Sequence, residues 1–421
     1  MNSENNKFKI KLGKWSLFDC EKEMAKGGKS CFGINEATIY GYPLFRLSDN
    51  TIPKKLLEEN IERGVVPRIV FTLRMNEAII IIGKTPPKCV YWGYTPYLNN
   101  KATYNSNNQS LTIGKAVNGS LNDTLNMNKF KKIFNVENPF KQNIMIIIGK
   151  NKKLNEELYN SNFLNKFNLK NIYKFIFHIP SDKVSDTDLL SVLSRVTYID
   201  KSERDNYFEN TQTYTFKVKS NVVLMNQNYI YRNPSDTLYE LNNFTLQSRD
   251  DNINEHSLTI KGVLLKDILS KRIRELNLEN KKPILFKEFS VTIDDPKIRI
   301  DTGYDCINNS YNCLFDNRDT IYTISNKINT SEAKKGIVMF GINHKFTDKA
   351  LYTNINIYEK EKFSPIYAKL IETEYPIYQL NISPELYNGY KEIYLTERAY
   401  LQSTISPSFE TIIYPVAYLI D

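Results

Sequence analysis

A chain of 421 residues that is 41% hydrophobic and 12% aromatic can bury a sizeable core and is long for a single structural unit. Its 56 basic and 47 acidic residues leave a formal charge of +9. That charge is spread along the chain beside the Asn, Ile and Tyr that AT-rich codons favour, so it gives no ground for a nucleic-acid partner.

Taken in order, residues 1–66 read as an irregular entry segment with one short helix over 53–63, started near Thr51 and ended by Gly64. An α+β unit is expected over 67–205. It opens with two Val- and Ile-rich runs, 68–74 and 77–82, whose separation by Met75-Asn76 reads as a hairpin, and a third strand follows over 88–94. Residues 99–142 are rich in Asn, Lys, Ser and Gly without periodicity, which predicts a surface insertion with one weak strand near 111–113. A strand, helix, strand pattern then covers 143–148, 155–167 and 171–179. A further helix is predicted over 186–198, with Leu189, Leu190, Leu193 and Val196 on one face. The runs 78–84 and 144–150 echo each other and read as two buried strands of similar type.

The remainder, 206–421, reads as a strand-rich unit with one amphipathic helix at 263–278. Its strands are expected at 213–218, 221–225, 284–293, 320–324, 336–342, 349–358, 391–402 and 411–420. The fold class is therefore α+β, strand-rich, with mainly antiparallel sheets and a few packed helices. No purely apolar run approaches the ~20 residues that cross a bilayer. Met1-Asn2-Ser3-Glu4-Asn5-Asn6 opens no signal peptide, so a soluble chain without a transmembrane segment is expected, extracellular only if a leader has been removed.

Several familiar chemistries lack their residues. Gly83-Lys84-Thr85 follows an apolar strand, but a phosphate-binding loop needs a glycine where Ala78 stands and a helix where Pro86-Pro87 favours extended chain. There is no Gly-x-Ser-x-Gly elbow and no His-x-x-x-His helix. Lys266, Lys271, Arg272 and Arg274 are interleaved with Asp267 and Glu275, the pattern of a solvated helix face. Cys20 with Cys31, and Cys306 with Cys313, are disulfide candidates that would each close a short loop, and free thiols are the alternative. Neither pair has the spacing of a zinc knuckle; the metal and cofactor content stays unknown.

The densest chemistry lies between Asp305 and His344. Asp316, Arg318 and Asp319 place two carboxylates and a guanidinium within four residues. If strands 320–324 and 337–342 paired antiparallel, His344 would approach Asp319. The carboxylate would then tune the imidazole as an acid or base while Arg318 held an anionic group. Asp305, Asp316 and Asp319 would alternatively suit Ca²⁺ or Mg²⁺, and the plainest alternative is a hydrogen-bonded turn with no chemistry. His178, in an apolar strand, reads as a core histidine, and His256 as solvent-exposed. Trp92 and Tyr94 on one strand face could offer a ligand a flat apolar platform, or simply pack.

The stretch Tyr91 to Leu98, Asp305-Cys306, Asp316 to Thr320, Gly341 to His344 and Arg398 to Leu401 together resemble a family of uncharacterised proteins of bacteria and some eukaryotes. The resemblance spans most of the chain. It implies no activity; it implies secretion for many members, which suits the cysteine pairs. Two functions stay open: binding of, or action on, a small anionic or polyhydroxylated ligand at a site of His344, Asp316, Asp319 and Arg318, or a non-catalytic extracellular interaction or structural role.

Overall fold

The computed structural model describes residues 7–19, 38–104, 110–161, 171–221, 253–289, 303–313, 315, 317, 319–360, 365–401 and 408–420. The chain divides into two units, each assembled from separate stretches: 1–18, 40–246 and 291–317 form one, and 19–39, 247–290 and 318–421 the other.

In the first unit the strands are β1 (Phe8–Asp19), β2 (Thr38–Leu44), β3 (Glu77–Lys84), β4 (Cys89–Tyr104), β5 (Leu111–Ser120), β6 (Leu125–Asn126), β7 (Asn143–Gly149), β8 (Tyr173–His178), β9 (Leu189–Ile199) and β10 (Tyr214–Ser220). They form one sheet in the order β5-β4-β9-β2-β1-β10-β3-β7-β8, with β6 on β4. The helices are α1 (Lys54–Glu62), α2 (Met127–Phe134), α3 (Lys152–Asn160) and α4 (Lys201–Asn210). The echoing strands β3 and β7 are direct antiparallel neighbours, Ala78 opposite Gly149. Their uninterrupted isoleucines follow from burial on both faces. Ile79, Ile81, Ile146 and Ile148 enter one core, while Ile80, Ile82, Met145 and Ile147 enter another with Leu154 and Leu158 of α3. β7 and β8 are parallel, as a crossover containing a helix requires.

Three sequence expectations are corrected in this unit. Residues 68–74 make no hairpin with β3; they begin in a turn and form only a single bridge, Phe71 to Leu190, because β3 already pairs with β10 and β7. The helix expected over 186–198 is strand β9. Every residue from Leu189 to Thr197 is buried, so an apolar stripe at helical spacing is also what a strand covered on both faces displays. Val192, Val196 and Thr197 then favour the pleated state. The Asn-rich stretch 99–142 is not a surface insertion: it holds the end of β4, all of β5, β6 and α2. Its asparagines serve the backbone. Asn100 Nδ2 donates to the carbonyls of Val65 and Gly114, and Asn126 Oδ1 accepts from the amides of Asn128 and Lys129 to cap α2.

The second unit contains β11 (Thr259–Ile260), β12 (Val263–Leu264), β13 (Ile284–Glu288), β14 (Thr320–Ser325), β15 (Ile328–Asn329), β16 (Ile337–Ile342), β17 (Ala350–Glu359), β18 (Pro365–Leu370), β19 (Ile377–Ile382), β20 (Glu392–Leu401) and β21 (Val416–Leu419). Apart from the β11–β12 hairpin they form one sheet in the order β18-β17-β20-β14-β13-β21-β16-β19, with β15 on β20. Helix α5 (Leu265–Glu275) begins two residues later than expected, after the short β12. It lays Leu265 and Leu269 on Val338, Phe340 and Ile342 of β16. β14 and β16 are not neighbours, since β13 and β21 lie between them, so the pairing that would have joined His344 to Asp319 is absent. Strands predominate throughout, the sheets are almost wholly antiparallel, and helices are few and short.

Candidate functional site

His344 follows β16 in a turn whose residues each have a structural task. At Gly341 a Cβ would collide with the ring of Tyr378, its partner across β19, so only glycine leaves the phenol room. Asn343 Nδ2 donates to the carbonyls of Thr373 and Tyr375, anchoring the turn. The imidazole of His344 is then fully enclosed, with Nδ1 at 2.7 Å from Glu255 Oε1 and Nε2 at 3.3 Å from Glu397 Oε2. Ionised carboxylates only accept, so both ring nitrogens donate and the ring is an imidazolium.

Each glutamate is satisfied on its far side. Glu255 Oε2 accepts from the Ile413 amide at 2.9 Å, and Glu255 Oε1 also accepts from the Thr347 hydroxyl at 2.6 Å. Glu397 Oε1 accepts from the Tyr378 hydroxyl at 2.7 Å. Burial works against a charged imidazole, but attraction first to Glu255 and then to Glu397, with the hydrogen bonds to both, lifts the His344 pKa to about 10. For Glu255 burial again opposes charge, and His344 with the Thr347 and Ile413 bonds outweighs it, so its pKa falls. Burial raises the Tyr378 phenol well above its ordinary range, and the Glu397 charge adds to this. The network is thus a closed salt-bridged knot at neutral pH; no atom of His344 reaches solvent.

The sequence-selected residues are distributed as follows. Asp319 is buried just ahead of β14, and the carboxylates that hold His344 are Glu255 and Glu397. Asp316 and Arg318 lie outside the described residues, as do Cys20 and Cys31. Cys306 and Cys313 are disulfide-bonded with Cα atoms 6.0 Å apart. The staple holds a short helix, Gly303–Asn309, and the chain after it along β5: the Cys313 amide donates to Val117 and the Phe315 amide to Asn118. Cys89, the odd cysteine, is a buried free thiol whose pKa burial raises. Trp92 and Tyr94 do share a strand face. Their rings meet edge to face at 6.1 Å, with Phe130 a further 5.5 Å from Trp92, and protein covers both. His178 is buried at the end of β8 beside Asn155 Nδ2 at 3.0 Å; His256 Nε2 lies 3.0 Å from the Ile412 carbonyl. Among the described residues no group of three or more His, Cys, Asp or Glu side chains is arranged to hold a metal ion. No helix there is long and apolar enough to cross a membrane.

Open chemistry lies elsewhere in the second unit. A cleft of about 970 Å³ runs between the turn after β15 and the loop before β20, and Thr330, Lys334, Glu359, Lys360, Asn388 and Tyr390 are among its lining residues. Its walls are tied together: the Thr330 hydroxyl donates to the carbonyls of Tyr390 at 2.5 Å and Lys391 at 3.1 Å, and the Tyr387 hydroxyl to Ala333 at 2.6 Å. Lys327 and Lys360 both grip Glu392, at 2.5 and 2.6 Å, and their hydrogen bonds and charges depress its pKa. Neither Glu255 nor this cleft was found from sequence. The signal for Glu397 was present: Glu397-Arg398 is a charged pair between the apolar stretches 393–395 and 399–401, which demands buried partners.

No family model matches the chain, and no curated protein matches it. Among solved structures it is similar to an uncharacterised protein from Burkholderia cenocepacia, with 8% identity, a TM-score of 0.41, and coverage of 97% of this chain and 81% of that one. A protein from Vibrio parahaemolyticus has 9% identity and a TM-score of 0.38, covering 87% of this chain and 95% of that one.

Proposed function

We propose that the protein binds a small polar ligand in the cleft between residues 329–334 and 384–392, without catalysis by His344, in an α+β chain that works in an oxidising compartment. The observation that carries this reading is the contrast in access. The one strongly charged histidine is sealed with both nitrogens engaged, whereas the cleft presents hydroxyl, amide, ammonium and carboxylate groups on walls already braced. A general base must reach the proton it removes, and His344 reaches only its own glutamates. Bracing by Thr330 and Tyr387 favours binding because a preformed site loses little freedom when it is filled. The Cys306–Cys313 bond supports the oxidising compartment.

The test is a ligand-observed NMR screen of sugars, organic phosphates and carboxylates against the intact chain, repeated with Tyr390→Ala, Lys334→Ala and Arg318→Ala. Binding lost in the two cleft variants and kept in Arg318→Ala is the expected result. Binding lost only in Arg318→Ala would move the site to the Asp316–Asp319 segment and sink the cleft.

A further inference from the structure

We infer that the cleft selects a neutral polyhydroxylated ligand, a carbohydrate chain, over an anionic one; the inference rests on the cleft reading above. Two observations carry it, the charge balance of the lining and the exposure of Tyr390. The lining has three cations, Lys334, Lys360 and Lys391, and three anions, Glu359, Glu385 and Glu392. Lys360 is occupied by Glu392 at 2.6 Å, which itself is held from the other side by Lys327. To recruit Lys360, a phosphate, sulfate or carboxylate would therefore have to displace a carboxylate already paired.

The same groups are well suited to hydroxyls. A sugar hydroxyl both donates and accepts, so it can bridge an ammonium and a carboxylate without separating them, where an anion can only accept. Glu359, Glu385 and Asn388 add acceptors, and Asn388 and Lys334 add donors, around the same space.

Tyr390 supplies the apolar half of such a site. It lines the cleft and is 42% exposed, and it follows Gly389, whose φ of +94° turns the chain there. The Thr330 hydroxyl fixes the Tyr390 backbone by its carbonyl, leaving the ring rigidly based yet open. The flat C–H face of a pyranose packs on such a ring, while the rim hydroxyls meet the polar walls. At about 970 Å³ the cleft lies near the top of the range for small-molecule sites, which suits several sugar rings rather than one.

The experiment is isothermal titration of the intact chain with neutral hexasaccharides (maltohexaose, xylohexaose, mannohexaose and chitohexaose) and with two anionic probes, a heparin-derived hexasaccharide and inositol hexaphosphate. Tyr390→Ala and Tyr390→Phe are run alongside. The expected result is binding of a neutral hexasaccharide that barely changes with ionic strength. It should weaken about tenfold in Tyr390→Ala, the equivalent of ~1.4 kcal/mol, and be restored by Tyr390→Phe. Anionic binding that fades with salt and is lost in Lys334→Ala, with no neutral binding, would overturn this inference and leave the cleft standing. Heat from none of the probes, or heat unaffected by any cleft variant, would overturn the inference and the cleft reading together.

Discussion

His178 in the first unit and His344 in the second are almost equally buried, 2% and 0% exposed, yet one is neutral and the other cationic at neutral pH. Around His178 burial disfavours the proton and the Lys152 charge adds to this, so its pKa is pushed down to about 4; its Nδ1 faces a neutral amide, Asn155. Around His344 two carboxylates overcome the same burial and push the pKa up to about 10. Burial favours the neutral ring in both cases; whether nearby charges oppose or reinforce it decides the state of each histidine. The pair also separates structure from function. A neutral imidazole can be sacrificed to packing, whereas a charged one sealed between two glutamates ties together elements far apart in sequence: the 253–258 turn, the turn after β16, and strand β20.

The largest effect that would sharpen this contrast is expected for His344→Ala, which leaves Glu255 and Glu397 buried without their cation. A loss of about 3–5 kcal/mol in denaturant-melt stability is expected. A loss under ~1 kcal/mol would mean that water or another cation already serves the glutamates.

Next in size comes the pH dependence, in which the two histidines act on opposite limbs. The folded pKa of His344 lies above its unfolded value. Its stabilisation is fully present below about pH 6.5 and drains away as pH rises towards and through about 10, by several kcal/mol in all. The folded pKa of His178 lies below its unfolded value. Its contribution is present above about pH 6.5 and is lost as pH falls through about 4. Glu255, with a lowered pKa, weakens in the same acid direction. Melting temperatures across the range should show a plateau bounded on both sides. In His344→Ala the alkaline slope should flatten while the acid slope persists; the reverse pattern would exchange the two assignments.

A smaller effect is expected for His178→Leu, about 1 kcal/mol at neutral pH from the lost Asn155 bond, with a shallower acid limb. The smallest belongs to Tyr390→Ala. Its ring is exposed, so stability should stay within ~0.5 kcal/mol of the parent while ligand binding falls. A large destabilisation there would make the cleft wall a structural element and blur the division between brace and binding surface.

The strand pattern was readable where burial and periodicity agree. The isoleucine runs of β3 and β7 announced central strands, and β14, β16, β17 and β20 lie within a residue or two of their expected ends. β9 was misread because a segment buried on all sides has no polar face from which to tell period 2 from period 3.6. The asparagines of β4 and β5 were misread because an amide that satisfies a backbone inside a sheet has the same letter as one in a loop. At the site, His344 stood out as one of three histidines. Its partners did not, being 89 and 53 residues away, and no local spacing links them. The cleft had no motif at all, since it is made by three separate stretches whose residues are common at any surface.

The central claim, that His344 is a sealed cationic brace rather than an open acid or base, is tested most directly by following the ring resonances of the three histidines with pH by NMR. The account predicts that His344 stays protonated, in slow exchange with water, through neutral pH and towards about 10, while His178 stays neutral down to about 4. A His344 ring that titrates near pH 6.5 and exchanges rapidly with solvent would contradict it and return that residue to the position of a general base.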